Sequence, residues 1–546
     1  MEKRVFLAIA LSLLVLTLYQ AYVAPPPPET TPAPASVTQQ TPAASAGASA
    51  PAGTGAPGTG STAAPVVPVA PDAKDVVVDT DAIHAVFSTQ GAVLKHWQLK
   101  KHLDNTGAPL DLVPVQVPDT FAKPFSLVTD DANLTARMAA AVYQPSSGDL
   151  SLGANTGSLS FDYSDAATGL TVHKRFEFQP KGQQYVLNVD AKVDVGGVVK
   201  PVTIALGPSL GLGYSEGGRY GYPNQIVHQR AGKVERPAVA DALSPFDGPF
   251  RFAGVGDHYF LSAALLADKN VKISYAPVEL PVPWVDPENR KRQFIAYSVV
   301  APGEASVPFF FGPKLFDELR AVDTELVRTI DFGMFAFLVV PLLQALKWVN
   351  GFIGNYGWSI IVLTILINVV LFPLRHRSMV SMRKMQKLQP KVKAIQERYA
   401  KYKVTDPARQ KMNQEMMGLY KEHGVNPASG CVPMLLTLPI LFAFYSLLAM
   451  SIELRHAPFI GYINDLSKPD AFYITPILMG LSMFWQQKMM PSTADPMQQK
   501  MFLFMPIIFT FSFLWAPSGL VLYWLSSNLL AIGQQYLTNR LTGDAR

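Results

Sequence analysis

Apolar and polar positions alternate in three different rhythms along this chain. Residues 5–23 are an uncharged, mainly apolar run behind Lys3 and Arg4 and ahead of Pro25 to Pro28. A run of that length spans a bilayer, lacks the short core and small-residue cleavage site of a secretory leader, and predicts an uncleaved anchor over 1–24 starting in the cytoplasm. Residues 25–71 are almost wholly Pro, Ala, Thr, Gly and Ser. Such a composition buries too little apolar surface to offset chain entropy, and its prolines keep it extended, so it reads as a tether. From 72 to 330 the rhythm has a period of two, clearest in Thr171-Val172-His173-Lys174-Arg175-Phe176-Glu177-Phe178 and repeated near 83–87, 185–193 and 202–206, with Gly, Pro and Asp between the runs. That pattern predicts a β-sandwich domain.

Beyond residue 330 the apolar runs lengthen. Spans are expected at 358–374, 432–452, 472–485, 502–515 and 518–534, the last two divided at Pro517-Ser518-Gly519, within a helical core over 357–534. Residues 331–356 are nearly as apolar, and charge decides their placement. Between Leu374 and Cys431 stand thirteen Lys and Arg residues against Glu397, Asp406, Glu415 and Glu422. Such a segment belongs in the cytoplasm, which parity allows only if the anchor and 358–374 alone cross before it. The segment 331–356, broken by Pro341 and carrying Lys347 and Trp348, is therefore expected to lie flat in the outer interface. Six crossings follow, with both termini cytoplasmic, the β domain periplasmic and a cytoplasmic tail at 535–546.

Composition narrows the chemistry. Hydrophobic residues are 49% and charged residues only 16% of the 546, and the net charge of +5 is too small to imply nucleic acid by itself. The lone cysteine, Cys431, forbids an intrachain disulfide or thiolate cluster and reads as a small buried apolar residue. The β domain's scattered histidines, His84, His96, His102, His173, His228 and His258, show no paired metal-ligand spacing, so a binding or spacing module is expected there and no metal or cofactor. The span interiors hold no Asp, Glu, His, Lys or Arg, which argues against proton pumps and intramembrane aspartyl proteases. They hold neutral polar groups instead: Ser359, Thr364, Asn368, Thr437, Gln486, Gln487, Ser526, Ser527 and Asn528. Two readings stand side by side, interhelical hydrogen bonding and a wet groove for polar peptide segments. The 14 residues of 502–515 reach only about 21 Å against a hydrocarbon core of about 30 Å, so the bilayer is expected to thin beside them. Methionines such as Met382, Met385, Met479 and Met483 add adaptable surface.

Residues 375–430 carry their own pattern. Leu388, Val392, Ile395, Tyr399 and Tyr402 recur at helical spacing, as do Met412, Met416, Leu419 and His423, with a break at Thr405-Asp406-Pro407. An antiparallel helical hairpin is expected. Its cations, Lys384, Lys387, Lys391, Lys393, Arg398, Lys401, Lys403, Arg409 and Lys411, suit ribosomal RNA, a targeting factor or anionic lipid, or else serve only to fix topology.

Short motifs occur in a fixed order through this region: 348–357 (WVNGFIGNYG), Phe372-Pro373-Leu374, Lys387-Leu388-Gln389-Pro390-Lys391, 414–420 (QEMMGLY), Val425-Asn426-Pro427 with Gly430-Cys431, Ile452-Glu453-Leu454-Arg455, 496–500 (PMQQK) and 517–523 (PSGLVLY). They resemble the YidC/Oxa/Alb insertase family. The anchor, tether and large β domain resemble its long Gram-negative form. The resemblance implies an α+β multidomain fold with a periplasmic supersandwich and a five-helix transmembrane bundle enclosing a hydrophilic groove, open to the cytoplasm and to lipid. Polar substrate tails would enter this groove without nucleotide while apolar segments leave into the bilayer. It further implies nascent membrane proteins as substrates, and as partners the SecYEG translocon with its accessory subunits, ribosome or signal recognition particle components at the hairpin, and anionic lipids. Residue by residue it places Thr364, Asn368, Thr437, Tyr523 and Trp524 in the groove. The family's groove arginine, five residues before the proline, is Asn368 here, so Arg375 or Arg377 is expected at the groove mouth if a cation is needed. A transporter or channel, or a scaffold that assembles membrane proteins without inserting them, are the rival classes. The first requires small-molecule flux, and the second leaves insertion of simple substrates intact on depletion.

Overall fold

The computed structural model describes residues 70–104, 107–113, 121–208, 224–281, 291–301, 303–402, 406–424, 432–489 and 496–541. The expected anchor, nearly all of the tether, Lys403, Cys431, the Thr437 side chain and the end of the tail lie outside the described residues.

The sheet-rich domain begins where the period-two pattern begins. A five-stranded sheet runs in spatial order Pro109–Asp111, Val93–Leu103, Ile83–Ser88, Asp75–Thr80 and Leu150–Gly153, antiparallel except for its last pair. The larger, 13-stranded sheet follows the path Lys233–Glu235, Gln225–Arg230, Phe246–Gly256, Phe260–Pro281, Ala305–Pro313, Val186–Val195, Leu170–Phe178, Gly157–Asp165 and Gln144–Pro145. Phe260–Pro281 pairs with Phe246–Gly256 along one edge and with two strands in turn along the other. Its first residues pair with Ala305–Pro313 and its far half with Lys291–Ala301, and Ala267 (φ 49°) and Asp268 (φ 64°) bend it between them. The inner faces of the two sheets close on an aromatic core. Trp97 is fully buried, donates from Nε1 to Phe311 O at 3.0 Å and stacks on Phe178 at 6.4 Å.

One inward position breaks the apolar rule. In Leu170–Phe178 the residues Leu170, Val172, Phe176 and Phe178 are buried, and so is Lys174 between them, 1% exposed. Its ammonium donates to Gly91 O (2.7 Å), Ala92 O (3.1 Å) and Phe125 O (2.9 Å). Ala92 (φ 47°) and Phe125 (φ 69°) are held in the left-handed region, an uncommon place for such residues, and their carbonyls converge on the cation.

Two helices the alternation did not predict decorate this domain. Helix α1, Ala132–Ala140, is capped by Asp131, whose side chain accepts from the backbone N–H of Asn133 and Leu134. Helix α2, Phe316–Val322, leads out of the last strand.

The C-terminal region is helical: α3 Ala336–Ile353, α4 Tyr356–Arg398, α5 Pro407–Glu422, α6 Val432–Met450, α7 Ile474–Met489, α8 Pro496–Phe513 and α9 Ser518–Leu541. Several bounds differ from the sequence expectation. Helix α4 does not stop at 374 but continues for 43 residues, about 64 Å at the helical rise, through Pro373 and Pro390. Each proline deletes one backbone bond, while hydrogen bonding on either side carries the helix past it. Helix α8 starts six residues earlier than the apolar run, at the polar stretch Pro496 to Lys500, because a proline is well placed in a first helical turn. Helix α7 is shifted toward Met489, and α9 runs past 534 into the expected tail, held by the hydrogen bond from Gln535 Nε2 to Met489 O at 2.5 Å.

Helix α3 is long and apolar enough to cross a membrane by length and composition. It buries Val339, Leu343, Leu346 and Val349 and exposes Phe337, Trp348 and Phe352. Lys347 is salt-bridged to Asp317 of α2 and lies 3.8 Å from Glu453. Gly354, at φ 71°, supplies the left-handed cap that turns the chain into α4.

Candidate functional site

The first half of α4 reverses the pattern of a water-soluble helix. Trp358, Ile365, Leu366, Val369 and Val370 are exposed, while Ser359, Thr364 and Asn368 are buried. Apolar side chains outward and hydroxyls and amides inward suit a helix in hydrocarbon. Its start is tied down by Asn355, which caps Trp358 N through Oδ1 and donates from Nδ2 to Pro458 O and Phe459 O, both at 3.1 Å.

The buried polar groups form a ladder along this face. Thr364 Oγ1 donates to Ile360 O at 2.6 Å, and Asn368 Nδ2 donates to Thr364 O at 2.8 Å. That leaves Asn368 Oδ1 as acceptor, and Arg375 Nη1 donates to it at 2.5 Å. Arg375, two turns along the same helix, folds back so that a guanidinium stands beside the amide. Arg377 is exposed. Tyr523 of α9 lies within electrostatic reach of Arg375, and its ring stacks on Phe444 of α6 at 4.1 Å. The structure thus brings Thr364, Asn368, Arg375 and Tyr523 together. Trp524 turns away from them, packing against Phe509 at 5.6 Å and Phe513 at 4.9 Å on α8.

Other neutral polar groups are used between helices. Asn528 Nδ2 of α9 donates to Ser482 Oγ of α7 at 3.0 Å, and Gln535 reaches Met489 O as noted. Here the bonding reading holds and the groove reading does not. Sequence reasoning overlooked His376, which stacks on Phe372 at 5.9 Å and meets Thr538 Oγ1 at 3.3 Å, joining the middle of α4 to the last turn of α9. Its one signal was its place between Arg375 and Arg377.

The far half of α4 pairs antiparallel with α5. Lys391 meets His423 at 3.2 Å, Tyr399 Oη donates to Glu415 at 2.8 Å with Arg398 at 3.4 Å from the same carboxylate, and Arg409 Nε donates to Tyr402 O at 3.3 Å. Met385, Leu388, Val392 and Met412 are buried along the seam. Lys384, Lys387, Lys393, Lys401 and Lys411 are exposed, so cations line the outside of the arm.

Comparisons with known proteins agree with this layout. Residues 348–545 match the 60Kd inner membrane protein family, and residues 75–345 match the YidC periplasmic domain. The membrane protein insertase YidC of Geotalea daltonii is 37% identical over 99% of this chain and 99% of its own length. That of Geobacter sulfurreducens is 38% identical over 100% of this chain and 99% of its own. A crystal structure of an active YidC insertase with its first transmembrane domain resolved is similar at a TM-score of 0.36 and 19% identity, over 87% of this chain and 95% of that one. With matched relatives spanning both the sheet-rich domain and the helical region, this chain belongs to the YidC family of membrane protein insertases.

Proposed function

We propose that this protein inserts other proteins into the bacterial inner membrane. The polar tail of a substrate enters between α4, α6 and α9, and its apolar segment slides outward into lipid. The observation that carries this reading is the ladder of buried Thr364 and Asn368 joined to half-buried Arg375, set on a helix whose other face is apolar. An arginine held by one neutral amide keeps donors for a carboxylate or a backbone carbonyl of a passing peptide. This site does the work that the family assigns to an arginine at the position of Asn368, with the cation supplied two turns later. Tyr523 completes the groove in this proposal, Trp524 being packed instead against α8, and the exposed cations of the arm meet ribosome or signal recognition particle components or anionic lipid. The translocon with its accessory subunits is the partner for larger substrates.

The proposed topology has six crossings, cytoplasmic termini and the β domain outside. Helix α3 lies in the outer interface, a placement supported by Lys347 pairing with the β domain and by Trp348 and Phe352 on its exposed face. Helices α7 and α8, 16 and 18 residues long, reach about 24 and 27 Å, short of a core of about 30 Å, which favours a locally thinned bilayer.

The test is a double-mutant cycle in proteoliposomes with a substrate bearing a short acidic translocated tail. Arg375→Gln is expected to slow insertion about ten- to a hundredfold, the worth of a charge-assisted hydrogen bond. Asn368→Leu is expected to add little on top of it, because both changes break one pair. Full insertion by Arg375→Gln overturns the assignment.

A further inference from the structure

The loop between α6 and α7 packs against the β domain through imidazoles. His258, in the turn before Phe260–Pro281, donates from Nε2 to Ala449 O in the last turn of α6 at 2.5 Å and stacks on Tyr259 at 4.1 Å. Tyr259 is hydrogen-bonded to Ser467 of the loop. Arg455 of the loop lies over the Phe260 ring at 5.7 Å, and His102, near the end of Val93–Leu103, meets the same ring edge-on at 5.9 Å. His456, held at φ 58°, completes the contact.

The charges around these rings are mostly positive. His102 faces Arg455, Lys101 and His456, and His258 faces Lys314. His456 faces Arg455 and Lys468, with Asp465 and Asp104 as counter-charges. Asp257 is buried beside Lys314 and Arg455, and its carboxylate accepts from Tyr259 N and Phe260 N and its backbone carbonyl from Lys314 Nζ, all within the β domain.

We propose that this junction is a proton-sensitive latch, in which uncharged His102 and His258 hold the β domain onto the α6–α7 loop and release it when the outer compartment acidifies. The side of the membrane concerned rests on the topology proposed above, whereas the latch is independent of insertion. Burial pushes both imidazoles down to about 4 in the docked state, aided at His102 by Arg455, Lys101 and His456, and at His258 outweighing the bond to Ala449 O, which favours the charged ring. Released into water they return to about 6.5, so the undocked form binds more protons between those values, and docking weakens as pH falls through 6.5. At pH 5.5 the expected loss is about tenfold per imidazole and about a hundredfold for the two.

Hydrogen exchange of the full chain in lipid nanodiscs tests this, comparing pH 7.5 and 5.5 after correction for intrinsic exchange. Protection of the loop backbone is expected to fall by up to about a hundredfold in the wild type and to stay level in the double variant His102→Gln, His258→Gln, whose amides donate without titrating. A flat wild type, or an equal step in the double variant, overturns the latch. If the double variant is unprotected at both pH values, Arg455→Gln decides. Removing that cation makes charging His102 easier, so a smaller step than wild type supports the latch and an unchanged step overturns it.

Discussion

Lys174 shows what one residue demands of a fold. A lysine at the centre of a buried strand face costs several kcal/mol unless its ammonium is bonded, and three backbone carbonyls, all from left-handed residues, meet it. Burial still pushes its pKa down to about 7. In the unfolded chain the value is about 10.5, so between pH 7 and 10.5 the unfolded state binds more protons and stability rises with pH, by about 1.4 kcal/mol per unit at most. Below pH 7 this contribution is at its floor. Hydrogen exchange of strand Leu170–Phe178 in the full chain is expected to slow, after intrinsic-rate correction, from pH 7 to 9, and Lys174→Met is expected to abolish that gain. The alternation of 171–178 was legible because period two survives a single lysine. Which way Lys174 faced was not, since its acceptors come from segments 49 to 83 residues away in sequence. The same holds for Arg375: the missing arginine at 368 was visible, but the fold-back onto Asn368 depends on a side-chain rotamer.

At the level of elements, the pattern located the helical region more reliably than its bounds. The break between α8 and α9 falls at Pro517-Ser518-Gly519, where Ser518 N and Oγ both donate to Lys468 O and Gly519 N to Leu466 O. The arm's seam follows the spacing of Leu388, Val392 and Met412 because a helix facing a single partner buries one stripe. The continuity of α4 was illegible, since two prolines normally argue for an end. Helices α1 and α2 are too short for a helical period to stand out, and only the Asp131 cap marks the first. Close approach of elements is a further property that composition hides. A Cβ at Gly480 of α7 would collide with Thr510 Oγ1 of α8, whose hydroxyl is already committed to Pro506 O at 2.7 Å. Gly480→Val is therefore expected to push α7 from α8 and cost about 1–3 kcal/mol, read as a fall in the thermal midpoint of the detergent-solubilised protein. Gly480→Ala with Thr510→Ala, which removes the clashing hydroxyl, is expected to recover part of the loss.

Across the whole molecule, a sheet domain with a dense aromatic core and a helical region with inverted polarity share one continuous hydrophobic cluster. Family membership follows from relatives matched along the full length, whereas the insertion mechanism is a proposal supported by what the helices keep inside. Asn528 and Gln535 of α9 are spent on Ser482 Oγ and Met489 O of α7, so the reading of a hydrated path rests on the α4 face and its arginine rather than on every polar residue in the spans. The lipid-facing side of the same helix is the natural control, one turn and a few ångströms away.

Site-specific photocrosslinking during synthesis of a single-spanning membrane protein tests this most directly, with the probe at Thr364 or, on the exposed face, at Val369. The Thr364 probe is expected to capture the nascent chain and the Val369 probe chiefly lipid. Lipid alone at both positions would contradict the account.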